Sequence, residues 1–209
     1  MAKPITINNK HISIWPDNIQ VITLNDDPPV FWTQFTDIES YHKKLVDLIL
    51  ALEKDSRYTH KMMIGGSKVA DISGWGTPES ALIHQRAMEF FARAMGKEVS
   101  AVKVDTCWAS ISREHDYLTP HAHTNSLASV VYMLQPGDKE NRSFLDGRLA
   151  FVDPRIPSCC PTEEGVATEE LAPNMIEGAM VWFPSYLLHF VHPYTGHTPR
   201  ITLAWNFYL

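Results

Sequence analysis

The chain has 209 residues, of which 44% are hydrophobic and 20% charged, a composition typical of globular proteins that excludes disorder as its main state. Its 18 basic and 24 acidic residues give a net charge of −6, so nucleic acid is not an expected partner. No apolar run approaches the roughly 18 to 20 residues that a membrane span needs, and we expect neither a membrane segment nor a secretory signal.

The first hundred residues predict short strands followed by two helices. Apolar residues alternate near the start, and further along they recur at the three- and four-residue spacing of a helix. Thr77 followed by Pro78 is a typical helix start, and Gly96 a typical end. The predicted elements are a strand or hairpin region closed by Pro28-Pro29, a helix over 35–55, a loop-rich stretch over 58–76 and a helix from Pro78 to Gly96.

From residue 100 onward the hydrophobic pattern has the period of two that is typical of β-strands. Val102, Val104, Thr106 and Trp108 are predicted to share one face of the first strand. Short strands separated by glycine and proline turns indicate a β-sandwich or barrel. The further predicted strands cover residues 127–134, 148–152, 179–183 and 200–207.

We therefore expect one domain over 1–209. Residues 1–99 would supply N-terminal strands and two supporting helices, and 100–209 the β core. The stretch 153–177 carries six acidic side chains and one basic one, and we expect it to be a mobile lid or binding loop.

Histidines suggest a metal site in this β core. His121 and His123 lie two positions apart at the entry to a strand, so their imidazoles are expected on one face. Neutral imidazole is a ligand for iron, zinc, copper and nickel. The pair alone also fits a polar turn before a strand, so the assignment depends on the rest of the chain.

Three further motifs follow in order along the chain. They are Gly147-Arg-Leu-Ala-Phe-Val-Asp-Pro-Arg155, Phe183-Pro-Ser-Tyr-Leu-Leu-His-Phe-Val-His-Pro193 and Arg200-Ile-Thr202. Together with His121 and His123, this order resembles the iron(II)- and 2-oxoglutarate-dependent oxygenases, and more closely a bacterial and phage branch of small proteins within them. The resemblance covers residues 100–209.

The resemblance implies a mainly β fold: a double-stranded β-helix, or jelly-roll and cupin-like barrel, with the N-terminal helices packed on it. It implies Fe(II), 2-oxoglutarate as co-substrate and O₂, with ascorbate as a reductant. The implied metal ligands are His121, His123 and His189. The implied contacts of the far carboxylate of 2-oxoglutarate are Arg200, Thr202 and Tyr132. Weaker candidates for substrate contact are Asn125, Trp108 and Arg155.

One position departs from the usual pattern. The common ligand set is His-x-Asp/Glu plus a distal histidine, and His123 stands where the carboxylate is expected. Asp116, Asn125 and Asp105 are the candidate replacements. His192 competes with His189 for the distal position, although the motif favours His189.

The implied reaction is hydroxylation of a C–H bond in a small molecule, amino-acid-like or a natural product, with release of succinate and CO₂. Desaturation, cyclisation and cleavage stay open, as does a homodimer. The alternatives are a three-histidine dioxygenase that does not use 2-oxoglutarate and a non-catalytic cupin-like binding module.

The cysteines agree with a cytoplasmic enzyme. An odd number of thiols favours a reducing compartment over a disulfide scaffold. The adjacent pair Cys159 and Cys160 has no assigned role.

Overall fold

The computed structural model describes residues 3–62, 65–138, 145–152 and 170–209. Within these ranges it contains two α-helices, α1 (His42–Leu52) and α2 (Pro78–Met95), and three short 3₁₀ turns (Ile38–Ser40, Ile72–Gly74 and Val99–Ala101). The strands are β1 (Ile5–Ile7), β2 (Lys10–Ile12), β3 (Ile22–Asp26), β4 (Pro29–Gln34), β5 (Thr59–Lys61), β6 (Ser67–Ala70), β7 (Lys103–Ser112), β8 (Leu118–His121), β9 (Ala128–Gln135), β10 (Leu149–Val152), β11 (Glu170–Leu171), β12 (Ala179–Pro184), β13 (His189–Val191) and β14 (Arg200–Tyr208).

Two antiparallel sheets form the body of the protein. The larger has the order β3-β4-β12-β9-β14-β7-β6-β5, and the smaller β11-β10-β13-β8. A cluster of buried apolar side chains joins the two sheets, with Val181 and Phe183 from the larger and Leu149 and Phe151 from the smaller. The expected mainly β jelly-roll fold is confirmed.

The helices cover the other face of the larger sheet. Leu45 and Ile49 from α1, and Phe91 from α2, belong to one buried cluster with Trp205 and Phe207 of β14. The start of α2 is fixed by a capping box, in which Thr77 and Ser80 satisfy each other's backbone amides. Gly96 ends the helix in the left-handed conformation at φ 60°, which glycine adopts without steric cost.

Side chains of β14 alternate between the helical core on one face of the larger sheet and a cavity on the other. Ile201, Leu203, Trp205 and Phe207 face the helices. The residues between them face a cavity on the opposite side of the sheet; they are Arg200, Thr202, Ala204 and Asn206.

Three predictions about local structure need correction in part. The loop-rich stretch 58–76 also contains two short strands, β5 and β6, which extend the larger sheet. Pro29 begins β4 rather than closing the strand region, and the predicted helix over 35–55 is a 3₁₀ turn followed by the shorter α1. Proline is compatible with the first position of a strand because its missing N–H lies outside the ladder.

A β-bulge in β7 separates Trp108 from Val104, with which it was predicted to share one face of the strand. The register of β7 against β14 shifts between Asn206 and Phe207, so that Thr106 and Val104 are paired in succession and Asp105 is the extra residue. Before the bulge Val104 packs on the helical core, and after it Cys107 does. Trp108 therefore lies on the opposite face from Val104 and lines the cavity.

The expected lid lies mostly outside the described residues, as do Arg155, Cys159 and Cys160. Its described end is bonded to the body of the protein. The Trp32 indole donates to the carbonyl of Asn174 at 3.0 Å, and Arg148 donates to the carbonyl of Ala172 at 3.0 Å. No helix in the described ranges is long and apolar enough to span a membrane.

Candidate metal centre

A cavity of about 190 Å³ opens between the two sheets. Its walls combine histidines, one arginine, hydroxyl side chains and apolar side chains. The lining residues are Met62, Lys68, Trp108, Ser110, Ser112, Leu118, His121, His123, Ser129, Val131, Leu149, Phe183, His189, Val191, Arg200, Thr202, Ala204 and Asn206.

His121, His123 and His189 meet in this cavity. One ligand nitrogen from each ring lies within 4.8 Å of the others. The ring centroids of His121 and His189 are 4.3 Å apart, because the two residues are directly paired across β8 and β13. His123 follows the end of β8 and is held by its backbone N–H, which donates to the carbonyl of Ser185 at 2.8 Å.

Backbone carbonyls orient two of the three rings. His121 Nδ1 lies 2.8 Å from the carbonyl oxygen of Thr119, and His189 Nδ1 lies 2.9 Å from that of Leu187. A carbonyl only accepts, so each Nδ1 carries the proton and donates it. Each Nε2 is then left with a free lone pair, which is the arrangement that metal-binding histidines require.

Burial keeps two of the imidazoles neutral. The pKa of His189 is lowered to about 3, first by burial and then by the neighbouring His121. The pKa of His123 is lowered to about 4 by the same two causes in the same order. Near neutral pH both rings are neutral, so each has one nitrogen with a free lone pair available as a ligand.

This donor set fits a divalent transition metal. Two ligands of one ion at roughly 2.1 Å are at most about 4.2 Å apart, so a small rotation of the rings closes the site. Three imidazoles with no carboxylate suit iron, zinc, copper or nickel. Among the described residues, no carboxylate joins the cluster.

The candidate replacements for the missing carboxylate lie elsewhere. Asp116 accepts from the backbone N–H of Arg113 at 2.7 Å and lies against Gly65. Asp105 is exposed in a neighbouring groove. Asn125 is exposed and lies outside the cavity lining, because β8 has already ended and the strand alternation does not continue to it. Asn125 is therefore not placed to contact a molecule held inside this cavity, and its contact with substrate stays a prediction.

Arg200 and Thr202 line the same cavity and are buried, at 4% and 6% exposure. They lie two positions apart on β14, as the sequence predicts. Gly147 leaves room for the arginine, since a Cβ at Gly147 would lie 3.1 Å from Cδ of Arg200. A buried guanidinium beside a hydroxyl is suited to a carboxylate, which it can bind through two parallel hydrogen bonds.

Tyr132 does not reach the cavity, and its predicted contact with 2-oxoglutarate is wrong. Its neighbour Val131 lines the cavity, so Tyr132 points to the helical side of β9. There its hydroxyl contacts the hydroxyl of Tyr41 at 3.0 Å and Nε2 of His42 at 2.5 Å. The sequence prediction identified the strand correctly and the face incorrectly.

The remaining candidates from the sequence are Trp108 and three histidines outside the cluster. Trp108 lines the cavity, with its ring centroid 6.1 Å from that of His123. His192 lies outside the cluster and contacts Phe190. His115 and His197 are exposed beside Glu114.

Sequence reasoning missed Lys68, which lines the cavity from β6. The stretch around it was interpreted as loop, so the alternation that would have placed it was not applied. The register also places Ser110 and Ser112 of β7 in the wall, since Ser110 is paired with Lys68 and Ser112 with Arg200.

The structure thus combines a jelly-roll fold with three convergent histidines in the cavity between its sheets, an arrangement that can hold a metal ion. Residues 106–206 match a family model described as "Putative 2OG-Fe(II) oxygenase". This part of the chain, just under half of it, is therefore similar to the iron(II)- and 2-oxoglutarate-dependent oxygenases, a family of enzymes that use Fe(II), 2-oxoglutarate and O₂. No curated protein sequence matches the chain.

Solved structures of similar fold include a Pseudomonas putida prolyl-4-hydroxylase, with 18% identity, a TM-score of 0.53, and coverage of 84% of this chain and 91% of that one. AviO1 from Streptomyces viridochromogenes Tue57 has 12% identity, a TM-score of 0.59, and coverage of 84% and 88%. The epimerase SnoN, solved with Fe³⁺, alpha-ketoglutarate and nogalamycin RO, has 9% identity, a TM-score of 0.62, and coverage of 84% and 78%. At these identities the likeness establishes the fold alone.

Proposed function

We propose that the protein is a dioxygenase that hydroxylates a C–H bond of a small molecule, using iron held by His121, His123 and His189. The observation that carries the proposal is the shared cavity, in which three oriented imidazoles and a buried Arg200 and Thr202 line the same walls. Iron with 2-oxoglutarate and O₂ supplies the oxidising power for such a reaction when bound, yielding succinate and CO₂.

The chain's own residues have separate tasks in this proposal. The two backbone-bonded histidines hold their Nε2 lone pairs toward one point. Arg200 and Thr202 bind the far carboxylate of 2-oxoglutarate and so fix its orientation. The apolar walls from Val131, Phe183 and other side chains reduce access of water, which strengthens the polar contacts inside.

Metal-dependent co-substrate binding tests the proposal. In calorimetry with Mn(II) replacing iron, the parent should bind 2-oxoglutarate, and His189→Ala should lose both metal and co-substrate. His192→Ala is the matched control, because it changes the neighbouring histidine of the same motif, and it should behave as the parent. With Fe(II), ascorbate and O₂, succinate should form in the parent and the control only.

The absent carboxylate favours a second candidate, a three-histidine dioxygenase that does not use 2-oxoglutarate. The same experiment separates the two. Metal binding by the parent without any binding of 2-oxoglutarate, and without succinate, would overturn the proposal in favour of this second function.

A further inference from the structure

Lys68 brings a second cation to the edge of the cavity. Across the larger sheet, Lys68 of β6 is paired with Ser110 of β7, and Ser110 is paired with Thr202 of β14. Directly paired residues share a face, so Lys68 projects to the same side as Thr202. Its ammonium lies 3.7 Å from the centroid of the Trp108 ring, which holds it over the aromatic face.

The ammonium has no acidic partner among the residues that the structure describes. Asp71 and Asp105 line the groove beside it, but neither forms an ion pair with Lys68 among the described residues. Asp71 contacts the Ser73 hydroxyl, and Asp105 is exposed. Burial lowers the pKa of Lys68.

Lys68 lies between two spaces. It lines the inner cavity with the three histidines, and it also lines an outer groove of about 540 Å³. Trp108 is the other residue that the two linings share, whereas Arg200 belongs to the inner cavity alone. Of the two cations, Arg200 is thus placed for the inner ligand and Lys68 for a molecule that enters from the groove.

We propose that Lys68, seated on Trp108, binds a carboxylate of the primary substrate, so that the enzyme acts on small carboxylic acids. This inference rests on the proposed function, in which 2-oxoglutarate already occupies the cavity against Arg200. A half-buried ammonium without an acidic partner is stabilised by an anion. An anion bound at Lys68, where the groove meets the inner cavity, would place the rest of the molecule close to His123. The Trp108 ring provides a flat apolar surface beside that anion.

Binding of benzoate, compared with its neutral isostere benzamide, tests this inference. The protein is loaded with Mn(II) and saturating 2-oxoglutarate, and proton line broadening of each probe reports binding near the paramagnetic ion. We expect benzoate to be broadened and benzamide not. Lys68→Gln should weaken benzoate binding at least about tenfold, as loss of a charge-assisted hydrogen bond predicts.

Two variants control for charge and for local structure. Lys68→Arg keeps the positive charge and should retain most of the benzoate binding. Lys61→Gln removes an exposed lysine from the adjacent strand β5 and should leave benzoate binding unchanged.

Several results would overturn the inference. Equal broadening of benzoate and benzamide would remove the anion requirement, and unchanged benzoate affinity in Lys68→Gln would remove Lys68. Weakened binding of 2-oxoglutarate in Lys68→Gln, by the factor seen in Arg200→Gln, would assign Lys68 to the co-substrate instead. Failure of the Mn(II)-loaded parent to bind 2-oxoglutarate would overturn the proposed function itself, a result distinct from all of these.

Discussion

In the proposed ligand set, His123 takes the position at which the similar oxygenases are expected to carry a carboxylate, and this single difference would change the charge of the site. Three imidazole ligands would leave the full charge of a divalent ion uncompensated, whereas a carboxylate would cancel one unit. Carboxylate oxygen also suits harder ions such as Mn(II), while imidazole suits Zn(II) well. The ligand at position 123 should therefore control metal preference as well as affinity.

His123→Asp should shift preference from Zn(II) toward Mn(II) because it adds one oxygen ligand and one negative charge. We expect the ratio of Mn(II) to Zn(II) affinity, measured by competition with a chelator, to rise in this variant. His123→Ala is the control, since it removes the ligand without adding charge and should weaken both ions. An unchanged ratio in His123→Asp would show that residue 123 is not a ligand.

Arg200 should control 2-oxoglutarate affinity without affecting the metal, because it lines the cavity but is not part of the histidine cluster. Arg200→Gln keeps a polar side chain and removes the charge and the paired donors. The affinity for 2-oxoglutarate should fall on the order of 10- to 100-fold. Calorimetry with Mn(II) measures both steps, and equal co-substrate affinity in parent and variant would exclude Arg200 from the site.

The turn that precedes β10 shows how an element supports the site. Gly147 has φ 61°, and a Cβ there would lie 3.0 Å from Tyr194 Cδ2 and 3.1 Å from Arg200 Cδ. Gly76 has a similar φ of 71°, but nothing lies within 4 Å of its Cβ position. Replacement by alanine therefore has a similar backbone cost at both glycines, but only the Cβ of an alanine at position 147 would contact Arg200.

Gly147→Ala and Gly76→Ala should each lower the free energy of unfolding by about 1–2 kcal/mol, the cost of the left-handed conformation for alanine. Only Gly147→Ala should also weaken 2-oxoglutarate binding, because its methyl group displaces Arg200. Urea denaturation and calorimetry measure the two effects. A loss of co-substrate affinity in both variants would show that backbone strain, and not the contact, is responsible.

Elements with strong local signals could be predicted from the sequence. Helix α2 is fixed by its capping residues Thr77 and Gly96, and β14 by strict alternation. The strands β5 and β6 could not be predicted, because their short polar segments are stabilised by pairing with β7 rather than by their own composition.

The site was predictable in its residue types and less so in its geometry. His121 and His189 belong to ordered motifs, and their pairing across two strands follows from the fold. The face of Trp108 depends on the bulge at Asp105, which has no signature in the sequence. Tyr132 was assigned to the wrong face because its strand is apolar on both sides, so no alternation identifies the cavity side.

At the scale of the whole molecule, a buried ionic cluster ties the N-terminal segment to the helical layer. Arg86 of α2 is fully buried and donates to both carboxylate oxygens of Asp37, at 2.9 and 2.6 Å. It also donates to the carbonyls of Ile14 and Ser13 at 3.0 Å, and to the Tyr41 hydroxyl at 2.9 Å. One guanidinium thus connects three separate parts of the chain behind the larger sheet.

Removal of Asp37 should therefore destabilise the whole fold. In Asp37→Ala the fully buried Arg86 keeps only neutral partners, but Asp37 itself is 37% exposed, so the loss of unfolding free energy should lie below that of a fully buried pair, at about 1–3 kcal/mol. Asp55→Ala is the matched control, since Asp55 pairs with Arg57, whose side chain is 79% exposed, and such surface pairs contribute little. Urea denaturation followed by circular dichroism measures both. Equal urea midpoints for the two variants would show that the Arg86–Asp37 ion pair does not stabilise the fold. The N-terminal strands would then be held against the helices by apolar contacts alone.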